Sequence, residues 1–513
     1  MARYYLTTAI DYANGEPHIG HAYEKIGADA IARYRRMHGD DVYFLTGLDE
    51  HGQKVAQAAA EQNVSPQEFV DEMARRFEAM WRQLSISYDR FMRTTAEDHK
   101  RGVRALIERL HTKAPDDFYE RAYEGWYCVG CELFKRDDEI VDGHCVLHPT
   151  RTLQWTTERN WFFRLTRYAD FLRELYRDRP EFLCPETRRN EILALLDQGL
   201  EDISITRSRL SWAIPFPLPL SNGETQGTWV WFDALPNYLT ATGFPEPGYE
   251  SRWPAQLHVI GKDITRLHTV IWPAMLEAAD LPLPERVWAH GFVLLAGERF
   301  SKSSGVRLDV NESIERYGAD ALRYFLLREV PFDADGSFSY ERFDERYNAD
   351  LANSLGNLAS RAISMVEKYC GGVVPPGAIM DLDRADAADL AEYHTALDGS
   401  RGFLLHEGIK RVMACVARGN EFVQSQQPWA LAKHEDRRAD LERVLAAIVR
   451  QLARHAIHLA PFMPNKAQEL WNQIGGPGSV AEQRFTTTDS LDVSGWRVAK
   501  GAALFPKPNP AAQ

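Results

Sequence analysis

Basic charge, cysteine and long apolar runs are what this chain has least of. No stretch approaches the roughly eighteen consecutive apolar residues of a membrane-crossing helix, so membrane-spanning classes are excluded. With 60 Lys+Arg against 73 Asp+Glu, the net charge is −13. That balance excludes a broad basic surface gripping phosphates; a nucleic-acid partner would have to be met by a few local contacts. Six cysteines in 513 residues cannot make a disulfide framework, and three of them, Cys128, Cys131 and Cys145, crowd into one short segment. The segment from Met1 to Gly15 lacks a basic start, a long apolar stretch and a small-residue cleavage site, so the expectation is a cytoplasmic chain. What is present is 44% hydrophobic residues and a length that predicts about three domains.

The segment Tyr4 to Tyr12 is β-branched and aromatic, as buried strands are, and runs into the turn-forming Asn14-Gly-Glu-Pro17. Beyond it, Ile19, Ala22, Tyr23, Ile26, Ala30 and Ile31 recur at helical spacing, with Pro17 suited to the first turn. A second strand at Val42 to Thr46 then predicts a parallel α/β sheet. From about Asp116 an aromatic, cysteine-bearing insertion breaks the alternation. Strand-like runs return at Thr228 to Asp233, Leu257 to Gly261 and His290 to Leu295, with a helix expected from Thr265 to Ala279. Past Asp350 the pattern is helical, broken by Gly371-Gly-Val-Val-Pro-Pro-Gly377. These shifts set boundaries near residues 116 and 351, a tail follows residue 471, and the last stretch from Phe505 reads as frayed. Residues 352–471 carry 14 basic and 14 acidic side chains, whereas residues 1–351 carry a net −14.

Three groups of residues carry chemistry. His18 and His21 sit at i and i+3 where a helix should begin, with Gly20 between them; free amides and the helix dipole there favour an anion, and both rings could donate to phosphate oxygens. Gly261-Lys-Asp263 opens the loop after a strand, the usual ligand position in an open α/β sheet, and Asp263 could take a ribose hydroxyl. Cys128, Cys131, Cys145 and His148 have the form C-x2-C-x13-C-x2-H. Four soft or borderline ligands in two pairs fit a closed, structural tetrahedral Zn²⁺, with His144 an alternative to His148.

Pro17-His-Ile-Gly-His21 resembles the HIGH signature of class I aminoacyl-tRNA synthetases. Gly297-Glu-Arg-Phe-Ser-Lys-Ser-Ser-Gly305 resembles their Lys-Met-Ser-Lys-Ser loop, with Arg299 and Phe300 in its first two places. Further matching stretches lie at Phe44 to Gly52, Asn160 to Arg164, Asp202 to Arg207, Trp212 to Pro215, Trp229 to Leu235 and His268 to Met275, so the chain resembles the methionyl-tRNA synthetase family over most of its length. Ala9, Asp11 and Ala213 depart from the family pattern.

The resemblance implies a Rossmann-like catalytic domain in two halves (1–115 and 226–297), split by a connective insertion with a zinc knuckle (116–225). A loop and stem-contact region (298–350), a helical anticodon-binding domain (351–471) and a tail would follow. It implies ATP-dependent activation of L-methionine and its transfer to tRNA(Met), with Mg²⁺ accompanying ATP. His18, His21 and Lys302 would be catalytic; Gly20, Glu24, Gly261, Asp263, Arg299, Ser301 and Ser303 would hold ATP. Ala9, Ile10, Tyr12, Asp49, Trp231, Ala234, Leu235, Tyr238 and His268 would form the methionine pocket, with Asp49 on the ammonium and Tyr12 and His268 near the sulfur. Aromatic walls suit a polarizable thioether; Trp229 reads as packing. Asn357, Arg361 and Trp429 match positions that contact the anticodon, where stacking and edge hydrogen bonds would read bases. A monomer is expected. Two rival readings are a non-catalytic tRNA-binding relative and a HIGH-type nucleotidyltransferase with a soluble product.

Overall fold

The structure is a computed structural model that describes residues 1–131, 133–135, 137–146, 148–208, 210–295, 298–299 and 309–506. Its centre is a parallel sheet. Arg3–Thr8 (β1), buried from Tyr4 onward, pairs in parallel with Asp41–Asp49 (β3), which pairs with Asp11–Tyr12 (β2) and Arg90–Arg93 (β4). On its other side β1 pairs with Leu257–Gly261, which pairs with Val287–His290, and Leu183–Cys184 closes that edge. The register sets Leu6 against Leu257, so two segments some 250 residues apart form the middle of one sheet. The chain leaves β1 in one direction and returns from the insertion on the other. That reversal is the topological switch point of an open α/β sheet, where ligands bind beyond the carboxyl ends of the strands.

Helices cover the sheet. Ile19–His38 (α1) is buried along most of its length and ends at Gly39, whose left-handed φ of 110° suits glycine. Gly27 within α1 is required by packing: a Cβ there would lie 2.3 Å from the Phe332 ring. Gln53–Glu61 (α2), Pro66–Gln83 (α3, capped by Ser65 and Glu68) and Glu97–Lys113 (α4) follow. The insertion is antiparallel, built on Phe118–Cys128 against Gln154–Phe163. After the sheet comes a helical region with long helices at Asp381–Leu397, Leu405–Gln426 and Arg438–Leu459. The α/β class, the insertion and the helical C-terminal region stand as expected. Arg323, fully buried, fastens this region to the sheet layer: it pairs with Asp29 of α1 at 2.7 Å and donates to the carbonyls of Leu84, Pro461 and Phe462.

Four local expectations are corrected. Thr228 to Asp233 is not a strand: the chain pairs only at Gly227–Thr228 and then turns into the helix Val230–Ala234, because Trp229 and Phe232 bury in the core and local β propensity yields to packing. His290 to Leu295 is broken between Val287–His290 and Val293–Leu295. Pro17 precedes α1 rather than opening it, since His18 is the capping residue. The terminal stretch is not frayed at its start: Phe505 is buried against Tyr347, whose hydroxyl donates to the Pro506 carbonyl. Among the described residues no helix is long and apolar enough to cross a membrane.

Candidate active site and metal centre

A cavity of about 920 Å³ opens at the carboxyl ends of β1 and Leu257–Gly261. One wall is the turn from β1 into α1. His18 caps the helix: its Nδ1 accepts from the Gly20 amide at 3.1 Å, while the His18 amide donates to His21 Nδ1 at 3.3 Å. The rings stack at 3.7 Å. An imidazole accepting at Nδ1 carries its proton on Nε2, so this geometry gives two N–H donors at the positive end of a twenty-residue helix. His18, Gly20, His21 and Glu24 all line the cavity, as do Gly261 and Asp263 across from them.

The floor is charged. Lys25, wholly buried, pairs with Asp11 at 2.5 Å and Glu24 at 2.8 Å and donates to the Ala9 carbonyl. Glu24 also accepts from His290 Nε2 at 3.1 Å. Burial pushes the Asp11 carboxyl up to about 6 against the pull of Lys25. Burial also disfavours the Glu24 carboxylate, but Lys25 and His290 together outweigh it and hold that group well below the usual carboxylate range. Asp11, one of the three departures from the family pattern, is thus one end of a buried ionic chain that ties the first loop to α1.

The deeper part is aromatic. Tyr12 and Asp49 face each other across the β2–β3 pairing, and both line the cavity with Ala9 and Ile10. Trp231, Ala234, Leu235 and Tyr238 supply the facing wall from the helix Val230–Ala234 and the short helix Asn237–Thr240 that follows it. Trp229 is 1% exposed yet borders the cavity as well as the core. His268 stands behind this wall: its Nε2 lies 3.3 Å from His258 Nδ1 and its ring 5.3 Å from that of Tyr238. Burial drives both imidazoles toward the neutral form, His268 to about 3. Lys54, which stands over the Tyr12 ring at 5.3 Å, also reaches the cavity.

Cys128, Cys131, Cys145 and His148 converge, their ligand atoms within 4.8 Å of one another. Cys131 Sγ lies 3.6 Å from Cys145 Sγ and 3.3 Å from His148 Nδ1. Tetrahedral ligands about 2.0–2.3 Å from one cation are spaced like this. Burial pushes the Cys131 thiol up to about 12, so thiolates here call for a cation. The donor set fits a metal ion, and of the two histidines it is His148 that joins the cluster. Cys131 and His148 also border the cavity, so this cluster forms part of its rim.

Lys302, Ser301 and Ser303 lie outside the described residues, as does the Arg299 side chain; the backbone of Glu298–Arg299 pairs with Val293–Leu295. In the helical region a π-helical stretch, Tyr347–Gly356, leads into Asn357–Cys370. There Arg361 stacks over Trp429 at 5.8 Å, and Asn357 is exposed one turn before it. Sequence reasoning passed over Lys25 and His290, which reach Glu24, and His51, His99 and Asp233, which meet behind the aromatic wall. Only His51 and Asp233 had a signal, since both lie in stretches noted for resemblance.

The model of the family described as tRNA synthetases class I (M) matches residues 4–150 and 138–363. A methionine–tRNA ligase of Brucella suis is 44% identical over 93% of this chain and 92% of its own length. Another, from Caldanaerobacter subterraneus subsp. tengcongensis, is 41% identical over 98% of this chain and 78% of its own. The structure resembles Mycobacterium tuberculosis methionyl-tRNA synthetase in complex with methionyl-adenylate, with a TM-score of 0.92 at 40% identity, covering 99% of this chain and all of that one. Against the free state of that enzyme the TM-score is 0.85.

Proposed function

The chain belongs to the class I tRNA synthetase family of the methionine type, and from that premise we propose that it activates L-methionine with ATP and transfers the methionyl group to tRNA(Met). The observation that carries this reading is one cavity joining a phosphate-binding helix terminus to an aromatic pocket with a carboxylate at its edge.

In the first step a methionine carboxylate oxygen attacks the α-phosphorus of ATP and pyrophosphate leaves. In the second, a terminal tRNA hydroxyl attacks the acyl carbon and AMP leaves. No covalent enzyme intermediate is needed; the chain aligns the groups and stabilises developing charge. His18 and His21 donate to the phosphates, with Gly20 and the α1 amides beside them. Glu24, held ionised by Lys25 and His290, and Asp263, at Gly261, take the ribose. Lys302 is the cation that meets the triphosphate, together with Arg299, Ser301 and Ser303. Mg²⁺ accompanies ATP and neutralises phosphate charge.

Asp49 pairs with the substrate ammonium. Tyr12, Trp231, Ala234, Leu235 and Tyr238 enclose the thioether with Ala9 and Ile10, and His268 acts on it through Tyr238. Zn²⁺ at Cys128, Cys131, Cys145 and His148 would hold the insertion's tip against the cavity rim. Asn357, Arg361 and Trp429 read the anticodon. Residues 1–115 and 226–297 act as the catalytic halves, 116–225 as the connective insertion, 298–350 as the stem-contact region, 351–471 as the anticodon reader and 472–513 as the tail, in a cytoplasmic monomer.

The test is ATP–pyrophosphate exchange across all amino acids, followed by tRNA charging and metal analysis. Exchange with methionine far above the others, charging of tRNA(Met) and about one zinc per chain are expected. Exchange without charging would point to a nucleotidyltransferase with a soluble product. tRNA binding without exchange would point to a non-catalytic relative.

A further inference from the structure

Behind the aromatic wall a carboxylate is spent on geometry rather than on substrate. Asp233, fully buried, uses both oxygens: Oδ2 lies 2.7 Å from His51 Nδ1 and Oδ1 2.9 Å from His99 Nε2. Its two partners come from elements far apart in sequence, the loop after β3 and helix α4. Burial raises the Asp233 carboxyl, but the two imidazoles outweigh it and hold it at about 2, so it is an anion throughout the working range. Burying a carboxylate and two imidazoles is costly, and apolar packing would serve stability as well. The cluster's position accounts for it.

On one side Asp233 sits in the helix Val230–Ala234, between the wall residues Trp231 and Ala234. On the other side His51 follows Asp49 by two residues. The residue between them is clamped from three directions: the Glu50 amide donates to Thr94 Oγ1 at 2.9 Å, its carboxylate accepts from Arg93 Nε at 2.6 Å, and its carbonyl accepts from Trp212 Nε1 at 2.6 Å. His99 closes a second loop. Its Nδ1 lies 2.9 Å from Thr240 Oγ1, that hydroxyl is 3.3 Å from the Asn237 carbonyl, and Asn237 donates to the Ala234 carbonyl at 2.6 Å. The wall helix is thus tied at its carboxyl end, and the strand end carrying Asp49 is tied to it there through His51.

We propose that Asp233 is a positioning residue for amino-acid recognition: by holding His51 and His99 together it sets the distance between the Asp49 carboxylate and the thioether wall, and so matches the pocket to an α-amino acid with a side chain of fixed length. This rests on the reading of the cavity given above. A misplacement of about 1 Å at such a site costs on the order of 100-fold.

The test compares methionine with 4-(methylthio)butanoate, the same molecule without its amino group, in pyrophosphate exchange. In Asp233→Asn one carboxamide oxygen can serve only one of the two histidines. The methionine KM should rise ~10-fold or more, while the KM for ATP and the Ki of the des-amino competitor stay within ~2-fold. His51→Gln, which breaks the clasp from the Asp49 side without leaving the wall helix untied, should give the same amine-selective loss, and it carries the test if Asp233→Asn does not fold. Equal weakening of methionine and the des-amino acid, or an unchanged methionine KM in both variants, overturns the proposal alone. No methionine-dependent exchange in the unsubstituted protein overturns the reading of the cavity and this proposal with it.

Discussion

Both halves of the molecule bury ion pairs, and they differ in where those pairs end. In the sheet half, the chain Asp11–Lys25–Glu24–His290 is inaccessible at its centre, yet Asp11, Glu24 and His290 all reach the cavity wall. In the helical half, Asp383 pairs with Arg450 at 2.9 Å and Arg454 at 2.8 Å, and Asp386 meets Gln451, Arg454 and Arg418. Those groups end on one another, on Asp389 and on the Gly377, Ala378 and Cys415 carbonyls. A buried charge that ends at a wall is placed for a ligand, whereas one that ends on neighbouring helices sets their register. The same side-chain types border the cavity in one region and join helices in the other.

The largest expected effect tests the chemical side. Lys302→Ala should lower pyrophosphate exchange by about 1,000-fold or more, with methionine binding by equilibrium dialysis within ~2-fold. Exchange retained in that variant would remove the lysine loop from the comparison. Next comes the structural side: Asp383→Asn leaves Arg450 and Arg454 underpaired and should cost about 3–5 kcal/mol in urea unfolding, with exchange constants unchanged. A shifted methionine KM would show that the two kinds of network are coupled.

Trp429→Ala should weaken the tRNA contribution to charging by about 1–3 kcal/mol, the worth of one stacked base, and leave exchange as it was. The smallest effect per residue is one the regions share. Burial keeps His258 and His268 in the sheet half, and His455 and His458 in the helical half, neutral well below the usual imidazole range. The unfolded chain binds these protons below pH ~6.5 while the fold does not, so stability is full above that value and falls with acid, by about 0.7 kcal/mol per histidine between pH 7 and 6. Stability that rises on acidification from pH 7 to 6 would contradict this.

How much of this was legible in the sequence follows the range of the interactions. The turn from β1 into α1 was readable because its signals are adjacent: a β-branched run, a turn, then His18 and His21 at helical spacing. The cluster of Cys128, Cys131, Cys145 and His148 was readable because its residues come in two tight pairs. The helix carrying Trp231 was misread as a strand, since an aromatic run looks β-like until the core it enters is known. Lys25 reads as an ordinary helix lysine; only the fold brings Asp11 beneath it and His290, 266 residues from Glu24, against its partner. His99 is silent for the same reason, and although His51 and Asp233 lie in stretches of resemblance, nothing local says that the two side chains meet.

The central register, Leu6 against Leu257, also bears on how the chain is made. On a ribosome adding about 5–20 residues per second, β1 emerges roughly 12–50 s before the strand that must lie beside it. During that interval β1 and β3 can pair, but the other edge of β1 stays open, a ready template for the wrong neighbour. The insertion is synthesised within the same interval, so its own antiparallel sheet and metal cluster can close first, leaving the long-range parallel pairing as the last step of the sheet half.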